Sequence, residues 1–565
     1  MYFPRSLFTA LLFCSLLLPI PVAPAGSAPW NTNAGSNSWN TATNWTPATV
    51  PNGQEDLATF DISNATNLIL DTDIDLAGMA FHSGASAYTF TLPVGATLTF
   101  FGDGITNDSG QLQTFLLSIR TLNFHNDATA GSQTLLQAGK VFFYDNATSG
   151  EATFQTIASS IEFHDNSSAD HGIFINGGFS QRPLTVNGIS FFDQSSAGEG
   201  YFVDNASTRG LENNGSVYIA PDATADAATV VNMPATFAGG LAGSMIIDGA
   251  GANGTFTALG SNAGGAAAGE IKVFGRADNA SYTATGGTNG GNGGTLFFSE
   301  GADGGTARCT VMGNATMKIG TTDGIGLSIG SLEGDGLVFL TTLGFGEKQL
   351  TVGTNNLDAI FSGVVADGVD QTASAGTLLK TGSGTFTLAG ASTYTGGTTV
   401  NGGMLLVTNT TGSATGTGAV AVDAGMLGGS GTIAGTVTIG TGTSLAPAGG
   451  TQTQATLGIQ SSLTFNAGST YTYTFKATRK HAKTDKVLAN GVTINSSAGF
   501  NLSGQTQGTL IQSLVLTVIR NTAATPIAGT FSNLPDGAIV NVSGNNLQAS
   551  YEGGDGNDLT LTVVP

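Results

Sequence analysis

The chain has 565 residues, with 38 acidic and 17 basic side chains and a formal net charge of −21 at pH 7. This charge argues against nucleic acid as a partner. Hydrophobic residues make up 40% of the chain, too many for simple disorder, and the 84 glycines favour a turn-rich fold. Five histidines and two cysteines leave little material for metal or disulfide chemistry, so no cofactor is expected.

Residues 1–25 have the pattern of a secretory signal peptide. Arg5 gives the positively charged start, and an apolar run follows over residues 7–18. This run is shorter than the roughly 20 residues that a membrane-spanning helix needs. We expect cleavage between Ala25 and Gly26, export to the cell surface or medium, and no transmembrane segment in the mature chain.

All three tryptophans, Trp30, Trp39 and Trp45, fall within residues 26–120, the predicted N-terminal cap and first coils. Exposed indole rings would suit stacking against sugars. Alternatively, buried rings would cover the open end of a repetitive fold, which needs a distinct terminal unit. We favour the cap.

A degenerate repeat occupies residues 121–323, with fainter echoes beginning at Tyr201 and Leu296. Its clearest copies are spaced 19, 20 and 28 residues apart and are marked by Phe124, Phe143, Phe163 and Phe191. A period near twenty is typical of one coil of a β-helix, so these rings should stack along the core.

The slot after each phenylalanine holds His125, Tyr144, His164 or Phe192. Histidine next to aspartate can serve in acid–base or metal chemistry. A slot that accepts His, Tyr and Phe is instead defined by ring shape. We therefore assign no catalytic residue here.

Residues 324–450 alternate short β-forming runs with turns of Gly, Asn, Ser and Thr. The segments 380–390 and 394–403 resemble the autotransporter-associated β-strand repeat, also called the passenger-associated transport repeat. The resemblance implies a right-handed parallel β-helix in a secreted or surface-exposed bacterial protein. The family has no shared catalytic residues to carry over.

The predicted fold is therefore all-β: a right-handed parallel β-helix, a pectin-lyase-like solenoid with caps at both ends. Longer alternating strands indicate that residues 451–565 form the C-terminal cap. Proteins that carry this repeat usually continue into a membrane barrel of many strands, each about ten residues long. We expect the repeat here without that C-terminal barrel.

Five of the 17 basic residues lie within eleven positions of the predicted cap: Lys476, Arg479, Lys480, Lys483 and Lys486. The flanking alternating runs predict that the cluster is an exposed turn between two strands. It is either a solvated loop or a contact site for a polyanion such as lipopolysaccharide or an acidic glycan.

Residues 553–559 fit one copy of the Gly-rich calcium-binding nonapeptide, with Asp555 and Asp558 as candidate ligands. Such sites are completed by the next turn of the same motif. With a single copy, half of the ligands would be missing. A plain turn is the favoured interpretation, and calcium is the weak alternative.

The sequence predicts a non-enzymatic, adhesin-like or structural protein. Its Thr-, Ser- and Asn-rich rod would present many weak contacts to cell-surface or extracellular polysaccharide. The alternative is a β-helical polysaccharide lyase or hydrolase, which would need Asp, Arg or Lys side chains converging in one groove. The sequence identifies no catalytic or cofactor-binding residue.

Overall fold

The computed structural model describes ten ranges of the chain: 26–93, 95–157, 159–178, 188–207, 215–299, 301–320, 326–341, 348–368, 375–449 and 453–565. The predicted signal peptide lies outside these ranges, so the cleavage between Ala25 and Gly26 stays a prediction. The described residues form 46 strands and a single 3-10 turn at Ala42–Asn44. None of their helices has the length and apolar character to cross a membrane.

Most of the strands are short, as the sides of a small coil must be. The first fifteen are β1 (Ala28–Pro29), β2 (Leu57–Phe60), β3 (Asn67–Ile69), β4 (Ile74–Phe81), β5 (Thr89–Thr91), β6 (Thr97–Asn107), β7 (Gln113–Phe124), β8 (Thr134–Phe143), β9 (Thr153–Ile157), β10 (Ile161–Phe163), β11 (Ile173–Gly178), β12 (Ile189–Phe191), β13 (Tyr201–Ser207), β14 (Ser216–Ile219) and β15 (Thr229–Asn232).

The middle of the chain continues in the same style. Its strands are β16 (Ser244–Ile247), β17 (Thr255–Ala258), β18 (Glu270–Val273), β19 (Ser281–Ala284), β20 (Thr295–Phe298), β21 (Arg308–Val311), β22 (Thr316–Ile319), β23 (Leu327–Ile329), β24 (Ser331–Gly334), β25 (Leu337–Thr341), β26 (Lys348–Val352), β27 (Ala359–Phe361), β28 (Val364–Gly368), β29 (Gly376–Lys380), β30 (Thr385–Leu388) and β31 (Thr398–Val407).

Longer strands appear toward the C-terminus. They are interspersed with short ones, in the order β32 (Val420–Gly429), β33 (Thr432–Ile433), β34 (Val437–Ile439), β35 (Ser444–Ala446), β36 (Thr456–Ile459), β37 (Leu463–Phe465), β38 (Thr470–Ala477), β39 (Ala482–Thr484), β40 (Lys486–Ala489), β41 (Val492–Ile494), β42 (Gly499–Thr506), β43 (Val515–Asn521), β44 (Ile539–Val542), β45 (Asn545–Gly553) and β46 (Asp558–Val564).

The strands stack in parallel columns, because each turn of the chain returns to the strand one coil earlier. A main sheet of 39 strands results, and β38–β39 is the one antiparallel pair that the described residues show within it. In the coils from Leu122 to Asp303, two columns are strands and a third is a row of single bridges at a corner. This pairing confirms the predicted parallel β-helix.

One column, here called the Phe column, contains the predicted aromatic stack. Phe124 pairs with Phe143, Phe143 with Phe163, and Phe163 with Phe191. Successive ring centroids lie 4.8, 4.6 and 4.6 Å apart, and all four rings are buried. Ile219, Ile247, Val273 and Phe298 continue the column one coil at a time.

The segment beginning at Tyr201 is predicted to be a further copy of the Phe repeat, and this prediction is wrong. Strand β13 (Tyr201–Ser207) pairs with β11 and β15, so it lies in the neighbouring column and not in the Phe column. Phe202 stacks on Phe174 at 4.6 Å in this second column. The echo at Leu296 does lie in the Phe column, where Val273 pairs with Phe298. Both columns use the same inward Phe, so sequence similarity alone does not separate them.

The second column also carries a polar ladder inside the coils. Thr156, Asn176, Asp204 and Asn232 occupy equivalent positions of successive coils. Thr156 donates to Asn176 Oδ1 at 2.9 Å, and Asn176 Nδ2 donates to Asp204 Oδ1 at 3.1 Å. Among the described residues nothing pairs with Asp204 Oδ2 or with the Asn232 amide. Burial raises the pKa of Asp204 from 3.8 to about 8.

The N-terminal end is closed by the three tryptophans. Trp30, Trp39 and Trp45 are 3%, 0% and 2% exposed and pack edge-to-face, with centroids 4.7 to 5.0 Å apart. Each indole N–H donates to a backbone carbonyl. These rings have no free face for a sugar, which excludes the exposed platform, and the cap over residues 26–120 stays a prediction.

The C-terminal end departs from the parallel pattern. A second sheet of seven strands begins with parallel strands β33, β36, β40 and β43. It then ends in the antiparallel strands β46, β45 and β44. Parallel pairing in the main sheet continues as far as β42.

Candidate functional site

The basic cluster forms a β-hairpin and not a single turn. Strand β38 runs on to Ala477, and β39 (Ala482–Thr484) folds back against it, with Lys476 directly opposite Lys483. The hairpin closes through the Thr478 N–H, which donates to the carbonyl of His481 at 2.8 Å. Strand β38 also pairs in parallel with β42 (Gly499–Thr506) on its other edge. The hairpin is therefore held by the last coils of the solenoid.

An open pocket of about 490 Å³ lies between the hairpin and the end of β42. It is lined by side chains of both strands and of the tip, including Lys476, Thr478, His481, Lys483, Gln505 and Gln507. The two lysines are exposed, as are the two glutamines. These groups offer positive charge together with amide and hydroxyl hydrogen-bonding capacity.

Four of the five predicted cations remain unpaired in the part of the chain that the structure describes. No carboxylate there lies within ion-pair distance of Lys476, Arg479, Lys480 or Lys483, and all four are exposed. By contrast, Lys272, Arg276 and Arg308 each pair with a carboxylate. The hairpin is thus a local positive surface on a chain with a net charge of −21.

Lys486 is separated from this surface. It begins β40 in the second sheet, is only half exposed, and does not line the pocket. Together with Arg520 it acts electrostatically on Asp558: burial raises the pKa of Asp558, and these two cations oppose the rise. The predicted group of five therefore divides into four hairpin cations and Lys486.

The candidate calcium residues lie in the hairpin between β45 and β46. Gly553 pairs with Asp558, and Asp555 is exposed in the turn that joins them. The Asp558 side chain is buried, and its Oδ1 accepts the backbone N–H of Asn521 at 2.9 Å. In the described ranges no group of three or more His, Cys, Asp or Glu side chains could hold a metal ion. Calcium binding at this turn stays a weak prediction.

The ring slot beside the Phe column forms an outer stack. The rings of His125, Tyr144, His164 and Phe192 follow one another at 4.7, 5.2 and 5.1 Å. His125 Nδ1 lies 3.6 Å from Asp145, and His164 Nε2 lies 3.3 Å from Glu162. Ring stacking accounts for the residue types, as the sequence predicts. The ring faces meet one another, so mainly their edges reach solvent.

Sequence reasoning missed Gln505 and Gln507, the two amides that line the hairpin pocket. They lie 19 and 21 positions after Lys486, the last residue of the basic cluster, and carry no motif. Only the pairing of β38 with β42 brings them beside Lys476. Knowing the length of the last coil would have located them.

One coil of the solenoid lies within a segment that matches a known family. The segment 374–407 matches the family model described as "Passenger-associated-transport-repeat". The chain carries this repeat. In the structure the repeat comprises β29, β30 and β31, and β31 pairs with both of the other strands.

A buried lysine fixes the corner of the repeat. Lys380 is 1% exposed, and its Nζ donates to the carbonyls of Thr381, Gly382 and Gly402 at 2.6, 3.1 and 3.3 Å. Burial lowers its pKa. Since Gly402 belongs to the next coil, the ammonium group ties two coils of the repeat together.

A comparison with solved structures shows a distant similarity to an adhesin. The crystal structure of the Haemophilus influenzae Hap adhesin aligns with 90% of this chain at 11% identity and a TM-score of 0.29. The alignment covers 64% of the adhesin chain, less than two thirds of its length. No curated protein matches this chain.

Proposed function

We propose that this protein is a secreted or cell-surface, adhesin-like β-helix that holds polysaccharide through many weak contacts and has no catalytic activity. The observation that carries the proposal is the set of four unpaired cations on the hairpin, at the end of an otherwise acidic solenoid. The passenger-associated transport repeat supports the surface location. Export by a signal peptide over residues 1–25 is part of the same proposal.

The hairpin suits an anionic polymer for electrostatic reasons. Unpaired Lys and Arg side chains attract phosphate, sulfate or carboxylate groups without first having to give up an ion pair. The attraction is screened over about 8 Å at physiological salt, so binding should be salt-sensitive. Gln505 and Gln507 add neutral hydrogen bonds that screening affects less.

The rod itself adds multivalency. Outward positions of the second column carry Thr257, Thr283 and Thr310 on successive coils, about 4.8 Å apart. A polymer that follows the rod would meet the same hydroxyl group repeatedly. Weak contacts that repeat along one ligand combine into useful avidity.

The direct test replaces Arg479, Lys480 and Lys483 together by serine. The matched control replaces Lys272, Arg308 and Lys318 by serine, which removes the same charge from other faces. The hairpin variant should unfold within about 0.5 kcal/mol of the wild type, because its three cations are exposed and contribute little to stability. The control variant loses two surface ion pairs, each contributing roughly 0–1 kcal/mol, so its folding is verified before binding is measured. Binding to isolated lipopolysaccharide and acidic polysaccharide is then measured at low and high salt.

We expect the hairpin variant to lose the salt-sensitive binding and the control variant to keep it. Equal binding by all three proteins at every salt concentration would reject the hairpin as the contact. Incubation with the same polysaccharides should release no shorter fragments. Fragments would establish the lyase or hydrolase alternative instead.

A further inference from the structure

At two consecutive coils the segment that joins the Phe column to the corner row of the solenoid is shortened. In this row Thr129, Thr148, Ser168, Ser196, Thr224, Ala250, Arg276 and Asp303 are bridged one coil to the next. Four residues separate Ile219 of the Phe column from Thr224, and four separate Phe298 from Asp303. Only two residues separate Ile247 from Ala250, and two separate Val273 from Arg276.

The shortened corners keep the backbone hydrogen bonds between coils. They lack two of the residues that the full-length corners have between the Phe column and the corner row. The backbone bonds continue, since Ala225 N–H donates to Ala250 O at 2.8 Å and Gly251 N–H to Arg276 O at 2.7 Å. Gly249 allows this close approach, because a Cβ there would lie 2.3 Å from the carbonyl oxygens of Ala220 and Ala223. Because each shortened corner lacks two residues, an open space remains beside the neighbouring full-length corners.

The side chains of the row change at the same place. In the flanking coils a side-chain oxygen accepts the N–H two residues later, as from Ser196 to Gly198 at 2.8 Å and from Thr224 to Asp226 at 3.1 Å. Ala250 has no such oxygen. The N–H of Ala252 instead reaches Asp278 Oδ2 of the next coil at 3.1 Å.

The result is an open notch of about 440 Å³, here called the corner notch. Its polar lining consists of Asp222, Thr224, Asn253, Arg276, Asp278 and Asn279. Asp278 is held from two sides, by the Ala252 N–H and by Arg276, whose Nε lies 3.5 Å from Asp278 Oδ1. This volume is within the range of small-molecule sites, roughly 300–1,000 Å³.

We propose that the corner notch binds one neutral sugar unit of a glycan. Sugar hydroxyls both donate and accept, and the notch offers a guanidinium and amides as donors beside carboxylates, amides and a hydroxyl as acceptors. Two carboxylates against one guanidinium leave no excess of positive charge, which disfavours acidic sugars. This inference rests on the proposed glycan-binding function but uses a site separate from the basic hairpin.

The test uses the full mature chain with maltohexaose, mannohexaose, galactohexaose and chitohexaose as probes in calorimetric titrations. Arg276→Gln removes the central donor, and Ala252→Asn fills the notch. Asn suits this position, since Asp170, Asp226 and Asp278 occupy it in other coils with φ of 43° to 51°, and Ala252 has φ 48°. Arg308→Gln is the control, because Arg308 is also exposed and carboxylate-paired.

At least one neutral probe should bind the wild type. Arg276→Gln and Ala252→Asn should each weaken that binding at least tenfold, and Arg308→Gln should change it less than twofold. If both notch variants still bind a neutral oligosaccharide as the wild type does, the corner notch is not the binding site, and the proposed function is unaffected. If the wild type binds acidic polymers but no neutral probe, the notch proposal is rejected and the proposed function remains. If it binds no polysaccharide at all, both are rejected.

Discussion

The coils from Leu122 to Ile219 and those of the transport repeat both stack strands in parallel but are filled differently. In the first region Phe163 pairs with Phe191, 28 positions later, and aromatic rings fill both columns. In the repeat Leu378 pairs with Thr398, 20 positions later, and the core is largely aliphatic. The columns of the first region stay in register although its coils differ in length.

The two regions also bury charge-bearing groups differently. Lys380 donates hydrogen bonds to three carbonyls, so the repeat satisfies its buried cation. Asp204 accepts hydrogen bonds from the Asn176 amide and the Val217 backbone, but its Oδ2 has no partner among the described residues. In the repeat, backbone carbonyls lie close to Lys380. In the longer coils, Asp204 lies in a ladder of polar side chains. The difference implies that pH should affect the first region more than the second.

The largest expected effect concerns Asp204. The folded state keeps its proton up to about pH 8, whereas the unfolded chain releases it near pH 4. The unfolded state thus binds fewer protons between these values, and stability falls as pH rises through the interval. The loss is on the order of 5 kcal/mol and ends above pH 8. Asp204→Asn should abolish it.

Urea unfolding of the wild type and Asp204→Asn from pH 4 to 9 measures this difference. The two curves should diverge as pH rises, with the variant more stable at pH 7. Parallel curves would mean that the carboxyl group is ionised in the folded state and that the contrast with Lys380 is wrong.

The next effect concerns the aromatic filling. Phe163 is 0% exposed and stacks between Phe143 and Phe191, so Phe163→Ala should cost about 3–5 kcal/mol through lost burial and a cavity. Phe192→Ala, in the half-buried outer stack, should cost about 1 kcal/mol. Urea unfolding compares the two. Similar losses would show that the inner column contributes no more than the outer one.

A smaller effect is expected in the repeat. Lys380→Met keeps most of the side-chain volume but removes the donor to three carbonyls, and should cost about 1–3 kcal/mol. Hydrogen exchange would then increase at the amides around Gly382 and Gly402. Unchanged exchange there would show that the lysine does not join these coils.

The smallest effect is expected at the C-terminal turn. Because Asp558 already accepts the Asn521 N–H, adding a chelator should not shift thermal unfolding. Asp555→Asn, which leaves that bond intact, should also unfold like the wild type. A chelator-dependent loss of stability in the wild type that is absent in Asp555→Asn would instead establish a calcium site.

Much of the solenoid follows from sequence alone. Repetition of Phe near every twenty residues predicts the Phe column, since one coil must return each such residue above the last. The glycine-rich repeat predicts tight corners: a Cβ at Gly382, which has φ 71°, would lie 2.0 Å from the Gly353 carbonyl oxygen. The concentration of tryptophan predicts the cap. The division into a signal peptide and four further segments stays a prediction.

The tertiary structure decided which distant residues become neighbours. It placed Tyr201–Ser207 in the second column, set Lys486 apart from the hairpin, and brought Gln505 beside Lys476. In a solenoid the nearest side chains lie one coil away, and parallel strand partners in the main sheet are 17 to 30 residues apart. Sequence fixes the repeated inward pattern because burial selects residue type. It does not fix the corner lengths, and those lengths determine which polar groups meet at the hairpin and in the corner notch.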